Sequence, residues 1–202
     1  MRCPVCEGPD GRPFQVVGDR AYGRCTRCEA TFLFPEQRPS LEAERAEYAL
    51  HQNTDAFLAR LATPLLQRLA PAQHGLDFGC GPGPVLAAML REAGHTVALY
   101  DPLFHPDGAV LGTTYDFITC TEVAEHFHAP AAEFRRLDTL LRPGGWLALM
   151  TRFQTDDARF AHWHYRRDPT HVVFYREATL RWLARQHGWQ CEVPCPNKSA
   201  AA

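Results

Sequence analysis

The sequence has no long apolar run, no excess of charge and no apolar leader. No uninterrupted hydrophobic stretch in its 202 residues approaches the ~20 that a membrane-spanning helix needs. The formal net charge of −2 provides no general attraction to nucleic acid or to anionic lipid. The first ten residues, MRCPVCEGPD, lack the apolar core of a secretory signal. We therefore expect a soluble, cytoplasmic protein without a membrane partner.

Apolar residues are nonetheless plentiful enough to form a core. They make up 46% of the chain against 22% for charged residues, a balance that excludes wholesale disorder. The length fits one ordinary domain with a small appendage. We expect an appendage over residues 1–39, a helical linker or lid over 40–73, and an α/β domain over 74–202.

Four of the eight cysteines stand in two tight pairs, Cys3-x-x-Cys6 and Cys25-x-x-Cys28. Each step lets two thiolates on one turn reach the same tetrahedral ion, so the pairs predict a closed four-cysteine site for structural Zn²⁺. The residues between them read as a hairpin, too short to fold by burial alone, so the metal would supply its folding free energy. A disulfide or redox pair is the alternative, which the missing export signal disfavours.

The predicted zinc ribbon is nearly neutral. Residues 1–39 carry six arginines against five acidic residues, a poor match for a phosphate backbone. We expect a structural ribbon that packs on the main domain or helps to close its pocket. Docking of nucleic acid or of a protein is the alternative role.

A glycine-rich turn, LDFGCGPG over Leu76–Gly83, lies between a short buried strand and an apolar stripe at helical spacing. A second strand, HTVALYDP, then ends at Asp101. This order predicts the nucleoside-binding half of a doubly wound parallel sheet, in which the acid after the second strand binds the ribose hydroxyls. The G-x-G-x-G spacing differs from the G-x-G-x-x-G of dinucleotide enzymes, which disfavours a nicotinamide cofactor.

Two further motifs follow in order. YDFITCTEVAEHF reads as a strand, residues 130–141 as a helix, and RPGG at 142–145 as a turn before the strand WLALMT. With these motifs the chain resembles the class I S-adenosylmethionine-dependent methyltransferases. TEVAEH is similar to the EVxEH of ubiquinone-pathway O-methyltransferases and of deoxysugar C-methyltransferases, and the latter also resemble this chain in an N-terminal four-cysteine zinc unit. The resemblance implies a Rossmann-like fold, S-adenosylmethionine as cofactor and a small-molecule methyl acceptor.

The resemblance also implies a set of cofactor-binding residues. Gly79, Gly81 and Gly83 would lie against the methionine part of the cofactor, since glycine permits close approach and unusual φ. Asp101 would accept both ribose hydroxyls. The full implied set is Asp77, Gly79, Gly81, Gly83, Asp101, Pro102, Thr121 and Glu122, in which Asp77 orients the turn or the cofactor's amino group and Thr121 and Glu122 line the pocket.

Two departures from the family pattern stand out. Only 14 residues separate Asp101 from Asp116, where the family holds a helix, a third strand and another helix. The third strand is therefore predicted to be absent or reduced to residues 109–111, with an adenine pocket built around Pro102, Leu103 and Phe104. After a last helix and a predicted strand WQCEV the chain stops, so the fold's final strand is missing or degenerate. We expect a sheet of six strands or fewer.

The acceptor is predicted to meet the aromatic and histidine-rich segment Arg152–Tyr175. Its DPTH resembles a TH…F segment beside the acceptor site of ubiquinone-pathway enzymes. Methyl transfer often needs a base near pH 7, and neutral imidazole suits that task. His171 is the predicted catalytic base, with a helix cap or backbone hydrogen bond as its alternative role. His162 and His164 are lesser candidates.

A second metal site is a further hypothesis. Glu122, Glu125 and His126, with His171 as fourth ligand, resemble an arrangement used by small-RNA 2′-O-methyltransferases and some ubiquinone-pathway enzymes. Alternatively, Glu125 and His126 brace the loop. Two other functions also stay open: an RNA or tRNA methyltransferase that holds its substrate with the ribbon, and a non-catalytic cofactor-binding or scaffolding protein with a shortened sheet. The ribbon's near-neutral charge disfavours nucleic acid as partner.

Overall fold

The structure, a computed structural model, describes residues 1–49 and 53–194. Its strands are β1 (Gly11–Val17), β2 (Arg20–Cys25), β3 (Thr31–Leu33), β4 (His74–Phe78), β5 (Thr96–Tyr100), β6 (Tyr115–Thr121), β7 (Leu141–Met150) and β8 (Val173–Phe174). Its α-helices are α1 (Leu41–Tyr48), α2 (Asp55–Leu66), α3 (Val85–Glu92), α4 (Pro130–Leu140) and α5 (Glu177–His187). None of the helices in this described part is both long and apolar enough to cross a bilayer.

The chain divides into two compact units. One, which we call the ribbon unit, contains Met1–Ser40, Ala124–Phe134 and the chain from Thr151 onward. The other, the sheet unit, contains Leu41–Val123 and Arg135–Met150. These units cut across the three segments that the sequence predicts, because two later stretches of the chain join the N-terminal residues.

The sheet unit is built on four parallel strands in the order β5-β4-β6-β7. Asp77 of β4 lies opposite Leu99 of β5 and Thr119 of β6. Apolar faces of α2 and α3 meet in one buried cluster, which includes Leu61 and Leu90 and extends to Phe117 of β6. Helix α2, predicted as part of a linker or lid, therefore contributes to the core that supports the sheet.

The strands predicted around the glycine-rich turn are confirmed as β4, β5 and β6. No third family strand forms among the described residues between β5 and β6; a 3₁₀-helix, Gly108–Gly112, stands there instead and is capped by the Asp107 side chain. The RPGG segment, predicted as a turn, belongs to β7 with a shifted register. Gly144 permits this path through its φ of +79°.

Asp116 fixes the start of β6. Its carboxylate accepts the His74 backbone N–H at 2.9 Å and pairs with the Arg142 guanidinium at 2.7 Å. These donors hold the pKa of Asp116 below its ordinary value. The contacts are structural, and they bind the leading end of β7 to β4 and β6.

The prediction of a strand at WQCEV is wrong, because the described residues beyond α5 join no sheet. Gly188 ends α5 with a φ of +70°, and the Trp189 backbone N–H then donates to the Ala184 carbonyl at 2.8 Å. The Trp189 indole stacks on His187 with a centroid distance of 4.4 Å. The chain therefore folds back on the end of its own helix, where the flat face of the His187 imidazole stacks against the indole.

The ribbon unit contains an antiparallel sheet in the order β1-β2-β3-β8. The predicted hairpin is confirmed: Val17 pairs with Arg20 across a turn in which Gly18 has a φ of +62°. Strand β8, from the far end of the chain, pairs with β3 and completes the sheet. Rings of Tyr22, Phe160 and Phe174 pack edge to face beneath it, at centroid distances of 4.9 to 6.0 Å.

Candidate functional site

The glycine-rich turn leaves the carboxyl end of β4 and is fastened to the end of β5. The Gly79 N–H donates to the Tyr100 carbonyl at 2.7 Å, and the Gly81 N–H to Asp101 Oδ2 at 3.0 Å. Gly79 has a φ of +77°, and a Cβ there would lie 2.5 Å from the Val123 side chain. At Gly83 a Cβ would meet no described atom within 4 Å. Glycine at 79 is therefore required by packing, whereas Gly83 borders open space.

Asp77 is buried at the end of β4. Its Oδ1 accepts the Thr119 hydroxyl at 2.8 Å. Burial raises the pKa of Asp77 to about 6; the Thr119 hydrogen bond and Arg91 oppose the rise, and Asp101 adds to it. A buried carboxylate held in a charged form at neutral pH is typical of ligand sites, where a cationic group can pair with it.

Asp101 connects the turn after β5 to the turn after β4. Its Oδ1 accepts the backbone N–H groups of Leu103 and Phe104 at 2.8 and 3.1 Å, while Oδ2 accepts that of Gly81. Pro102 is exposed beside it, in a loop closed by two 3.0 Å backbone hydrogen bonds between Asp101 and His105. A carboxylate oxygen has two acceptor sites, so ribose hydroxyls would share Asp101 with these backbone donors.

The end of β6 carries the predicted pocket residues Thr121 and Glu122. Glu122 has a φ of +52°, and its N–H donates to the Met150 carbonyl at 2.8 Å. The left-handed conformation costs a non-glycine residue of order 1–3 kcal/mol and is found mostly at functional sites. The buried Thr121 Oγ1 has no hydrogen-bond partner within the described part of the chain. Both observations make this strand end a candidate ligand site.

A second cluster lies in the ribbon unit. Glu125 and His126 come from the 3₁₀-helix Ala124–His126, and His171 directly precedes Val172 and β8. One ligand atom from each lies within 4.8 Å of the others, and Glu125 is fully buried. The described residues thus bring together three of the four members of the second metal hypothesis, and Glu122 is the one outside this group.

Backbone carbonyls fix both imidazoles of this cluster. His126 Nδ1 lies 3.1 Å from the Thr170 carbonyl, and His171 Nδ1 lies 2.6 Å from that of Tyr165. A carbonyl can only accept, so each Nδ1 carries a proton and the lone pair of the neutral ring is at Nε2. Histidine ligands of metals are commonly oriented in this way.

Asp168 approaches the other side of His171, with Oδ2 3.7 Å from Nε2. Burial works to raise the pKa of Asp168, but the charges of His171 and His126 and the hydrogen bonds from Thr170 hold it below its ordinary value. A proton at His171 Nε2 would therefore find a carboxylate beside it. His171 is buried and held at both nitrogens, as its alternative structural role predicts, and the same contacts suit a base or a ligand.

Tyr165 is a residue of this cluster that the sequence did not single out for a role. Its hydroxyl donates to Glu125 Oε1 and lies 3.1 Å from Thr151 Oγ1. Its ring centroid is 4.2 Å from that of His171, and its carbonyl accepts from the same imidazole. No helical or strand spacing relates residues 165 and 171, because a loop joins them, so no sequence pattern could have found this contact.

The lesser base candidates lie elsewhere. His162 and His164 are exposed, and His164 Nε2 lies 3.0 Å from Arg152 Nη1. Partial burial and the charges of Arg152 and Arg167 lower the pKa of His164.

The four predicted zinc ligands come together in the ribbon unit, with all Sγ atoms within 4.8 Å of one another. Cys3 and Cys28 are 3.6 Å apart, and Cys6 and Cys25 are 3.5 Å apart. A tetrahedral ion with Zn–S bonds of about 2.3 Å would place its sulfurs about 3.8 Å apart, so the residues fit the metal.

The electrostatics of these thiols agree with a cation site. A hydrogen bond from Cys28 lowers the pKa of Cys3 to about 6, whereas burial raises that of Cys6 to about 12. The Cys25 sulfur accepts the backbone N–H groups of Arg27 and Cys28 at 3.4 and 3.5 Å. Four sulfurs so close can all ionise only when a cation compensates them.

A parallel sheet whose first two strands end in a glycine-rich turn and an acid defines a Rossmann-like fold with a nucleoside-type site at its carboxyl edge. The methyltransferase-domain family matches residues 45–192. The chain therefore belongs to that family.

Individual relatives agree with this membership. Ubiquinone biosynthesis O-methyltransferases from Serratia proteamaculans (strain 568) and Aeromonas salmonicida (strain A449) are 32% and 28% identical, each over 38% of this chain. The chain spans less than half the length of these relatives, 32% and 42% respectively. The solved 1,6-didemethyltoxoflavin-N1-methyltransferase of Burkholderia thailandensis, with bound 1,6-didemethyltoxoflavin and S-adenosylhomocysteine, has a similar fold: TM-score 0.51, 18% identity, 87% of each chain covered.

Proposed function

We propose that the protein transfers a methyl group from S-adenosylmethionine to a small-molecule acceptor. The observation that carries this proposal is the carboxyl edge of β4, β5 and β6, where the glycine-rich turn, Asp101 and the left-handed Glu122 converge. The proposed cofactor-binding set is the one implied by the sequence: Asp77, Gly79, Gly81, Gly83, Asp101, Pro102, Thr121 and Glu122. The fold and the cofactor-bound toxoflavin relative support it.

Calorimetric titration with S-adenosylhomocysteine tests the donor site. Asp101→Asn keeps one acceptor oxygen but loses the charge, so we expect affinity to fall by about 10- to 100-fold, as for hydrogen bonds to charged groups. Asp107→Asn is the matched control, because Asp107 only caps a 3₁₀-helix through the Ala109 N–H at 2.9 Å. Wild-type protein that binds NADH and not S-adenosylhomocysteine would overturn the proposal.

The similar proteins are named as O-methyltransferases of ubiquinone biosynthesis and as an N1-methyltransferase of 1,6-didemethyltoxoflavin, which supports an aromatic small molecule as acceptor here. A panel of dihydroxyaromatic and N-heterocyclic compounds, with release of S-adenosylhomocysteine as readout, tests this class. Cofactor binding without turnover would favour the scaffolding alternative. Turnover on tRNA with binding that falls steeply with salt would favour the RNA alternative.

His171 is the proposed proton acceptor for the methylated group. In a pH profile of kcat/KM the wild type would show a limb set by a base, and His171→Gln would lose that limb. His162→Gln is the matched control, since His162 is exposed and outside the cluster. An unchanged profile in His171→Gln would remove the assignment.

Alternatively, Glu125, His126 and His171 support a divalent cation site in which His171 would act as a ligand instead of a base. The two Nδ1–carbonyl hydrogen bonds orient the imidazoles as histidine ligands of metals commonly are. A bound cation would lower the pKa of a coordinated acceptor hydroxyl. Titration of the zinc-loaded protein with Mn²⁺ tests the site independently of activity, with His171→Gln and His162→Gln compared. Equal binding by the two variants, or unchanged melting of the wild type on metal addition, would exclude it.

We also propose structural Zn²⁺ at Cys3, Cys6, Cys25 and Cys28. The purified protein should contain one zinc per chain by elemental analysis. Cys6→Ser should lose most of it, while Cys191→Ser should retain it, because Cys191 belongs to neither cluster of metal-type ligands in the described residues. Equal zinc content in both variants would refute the site.

A further inference from the structure

We propose that the four-cysteine centre positions the cluster of Glu125, His126 and His171. The metal-loaded ribbon would hold the two chain segments that carry these residues, and emptying it would release them. This inference rests on the zinc site proposed above and assigns the ribbon a part in the acceptor side of the reaction. All residues involved belong to the ribbon unit.

A continuous line of backbone hydrogen bonds joins the second cysteine pair to the cluster. The Cys25 N–H donates to the Ala30 carbonyl at 2.9 Å and closes the turn that carries Cys28. Strand β3 starts at the next residue. The Leu33 N–H donates to the Val172 carbonyl at 2.8 Å, and the Val172 N–H donates to the Glu125 carbonyl at 2.9 Å.

Val172 directly follows His171, so this line ends at both halves of the cluster. The β3–β8 pairs, Thr31 with Phe174 and Phe32 with Val173, lie beside it. Displacement of β3 would therefore act on His171 along the chain and on Glu125 through one hydrogen bond.

The first cysteine pair makes a separate contact. Pro4 stands between Cys3 and Cys6, and its carbonyl accepts the Ala131 N–H at 3.1 Å. At the exit of the ribbon, Arg38 Nη1 donates to the His128 carbonyl at 2.5 Å. Both contacts lie within five residues of His126. The segment carrying Glu125 and His126 is therefore held by the N-terminal residues directly, in addition to its hydrogen bond with Val172.

Side chains fasten the segment that leads to His171. Thr31 Oγ1 donates to Gln154 Oε1 at 2.6 Å, and both residues are buried. Arg24 and Arg176 share the carboxylate of Asp157 at 2.7 and 2.5 Å. The ribbon thus contacts the segment at its beginning, through Gln154 and Asp157, and near its end, through Val172.

The metal is needed because the pairing elements are too short to hold themselves. Strand β3 has three residues and β8 has two, at or below the short end of the usual range of strand lengths. A small ribbon of this kind draws much of its folding free energy from its ion. Loss of the ion would therefore remove the support on which β8 forms.

Hydrogen exchange measured by mass spectrometry on the full chain tests this coupling. Zinc-loaded wild type is compared with Cys6→Ser, with Cys191→Ser as control and with Cys6→His, which retains a zinc ligand, as rescue. In Cys6→Ser we expect peptides covering residues 124–131 and 165–176 to exchange at least about tenfold faster. Peptides from β4 and β6 should keep their rates, and S-adenosylhomocysteine affinity should stay within about twofold. Cys6→His should restore protection.

Three results would overturn the inference. Residues 1–33 could lose protection while residues 165–176 keep it, which would show that the ribbon acts alone. Strands β4 and β6 could lose protection too, which would make the ion a general stabiliser. Cys6→His could hold zinc without restoring protection. Failure of the zinc proposal itself is seen separately, since the wild type would then contain no zinc.

Discussion

The buried carboxylate of Asp77 is expected to lower the free energy of unfolding at neutral pH, because burial raises its pKa. The difference between its pKa of about 6 and the ordinary 3.8 corresponds to about 3 kcal/mol of destabilisation at neutral pH. Asp77→Asn removes this charge and leaves an amide oxygen to accept the Thr119 hydroxyl. We therefore expect the free energy of unfolding of the variant, measured by chemical denaturation at pH 7.5, to exceed that of the wild type by about 2 to 3 kcal/mol.

The sign of the pH dependence follows from the raised pKa. Between pH 3.8 and 6 the native carboxyl binds a proton that the unfolded one has released, so stability from this group falls as pH rises through that window. The advantage of Asp77→Asn should shrink to about half at pH 5. Its affinity for S-adenosylhomocysteine should fall, by about tenfold or more, if the carboxylate orients the cofactor.

Asp116→Asn is the matched control with the opposite sign. The pKa of Asp116 lies below its ordinary value, because it accepts the His74 N–H and pairs with Arg142. The free energy of unfolding of Asp116→Asn should be lower than that of the wild type at pH 7.5. This difference should disappear as the pH falls below the ordinary aspartate pKa. An Asp77→Asn protein that is no more stable than wild type at pH 7.5 would refute the cost assigned to the buried charge.

Three further predictions concern single positions, each read by chemical denaturation. Gly79→Ala should lower the free energy of unfolding by about 2–4 kcal/mol, because its φ of +77° and the Val123 contact both oppose a Cβ. Gly83→Ala should change it by no more than about 0.5 kcal/mol. Equal losses in the two variants would contradict the packing difference. Glu122→Val should be about 1–3 kcal/mol less stable than Glu122→Gly, because a β-branched residue is disfavoured at a φ of +52°, which glycine adopts freely. Tyr165→Phe should lose about 1–3 kcal/mol by removing the donor to buried Glu125, more than Tyr115→Phe, whose hydroxyl donates to a neutral carbonyl.

The sheet unit could be predicted because its signals are local. The turn after β4, the acid after β5 and the strand at β6 each show in a few consecutive residues, and parallel topology then brings their ends together. The short link between Asp101 and Asp116 likewise predicted the reduced third strand. The sequence predicts a turn at RPGG (142–145), because it cannot show that the Asp116–Arg142 pair draws this stretch into β7.

The predicted strand at WQCEV failed for a related reason. Its alternation suits a strand, but a strand needs a neighbour with unsatisfied backbone groups. The Trp189 N–H instead completes the end of α5, and the indole stacks on His187, two residues earlier in the chain. A local contact of this kind forms without the loop-closure entropy that joining a distant sheet edge would require.

The ribbon unit shows the converse case, in which a distant contact prevails. Strand β8 pairs with a strand some 140 positions earlier, and no period within either segment announces it. The partnership is favourable because β3 has an edge and a rigid base in the cysteine turn, whereas Val173 and Phe174 bury their side chains completely. His171 is thereby held beside Glu125 through Val172. Spacing of residues alone suggested a base or a ligand at 171. The pairing of β3 with β8 explains why that histidine is held in place, and why the proposed zinc ion should matter to it.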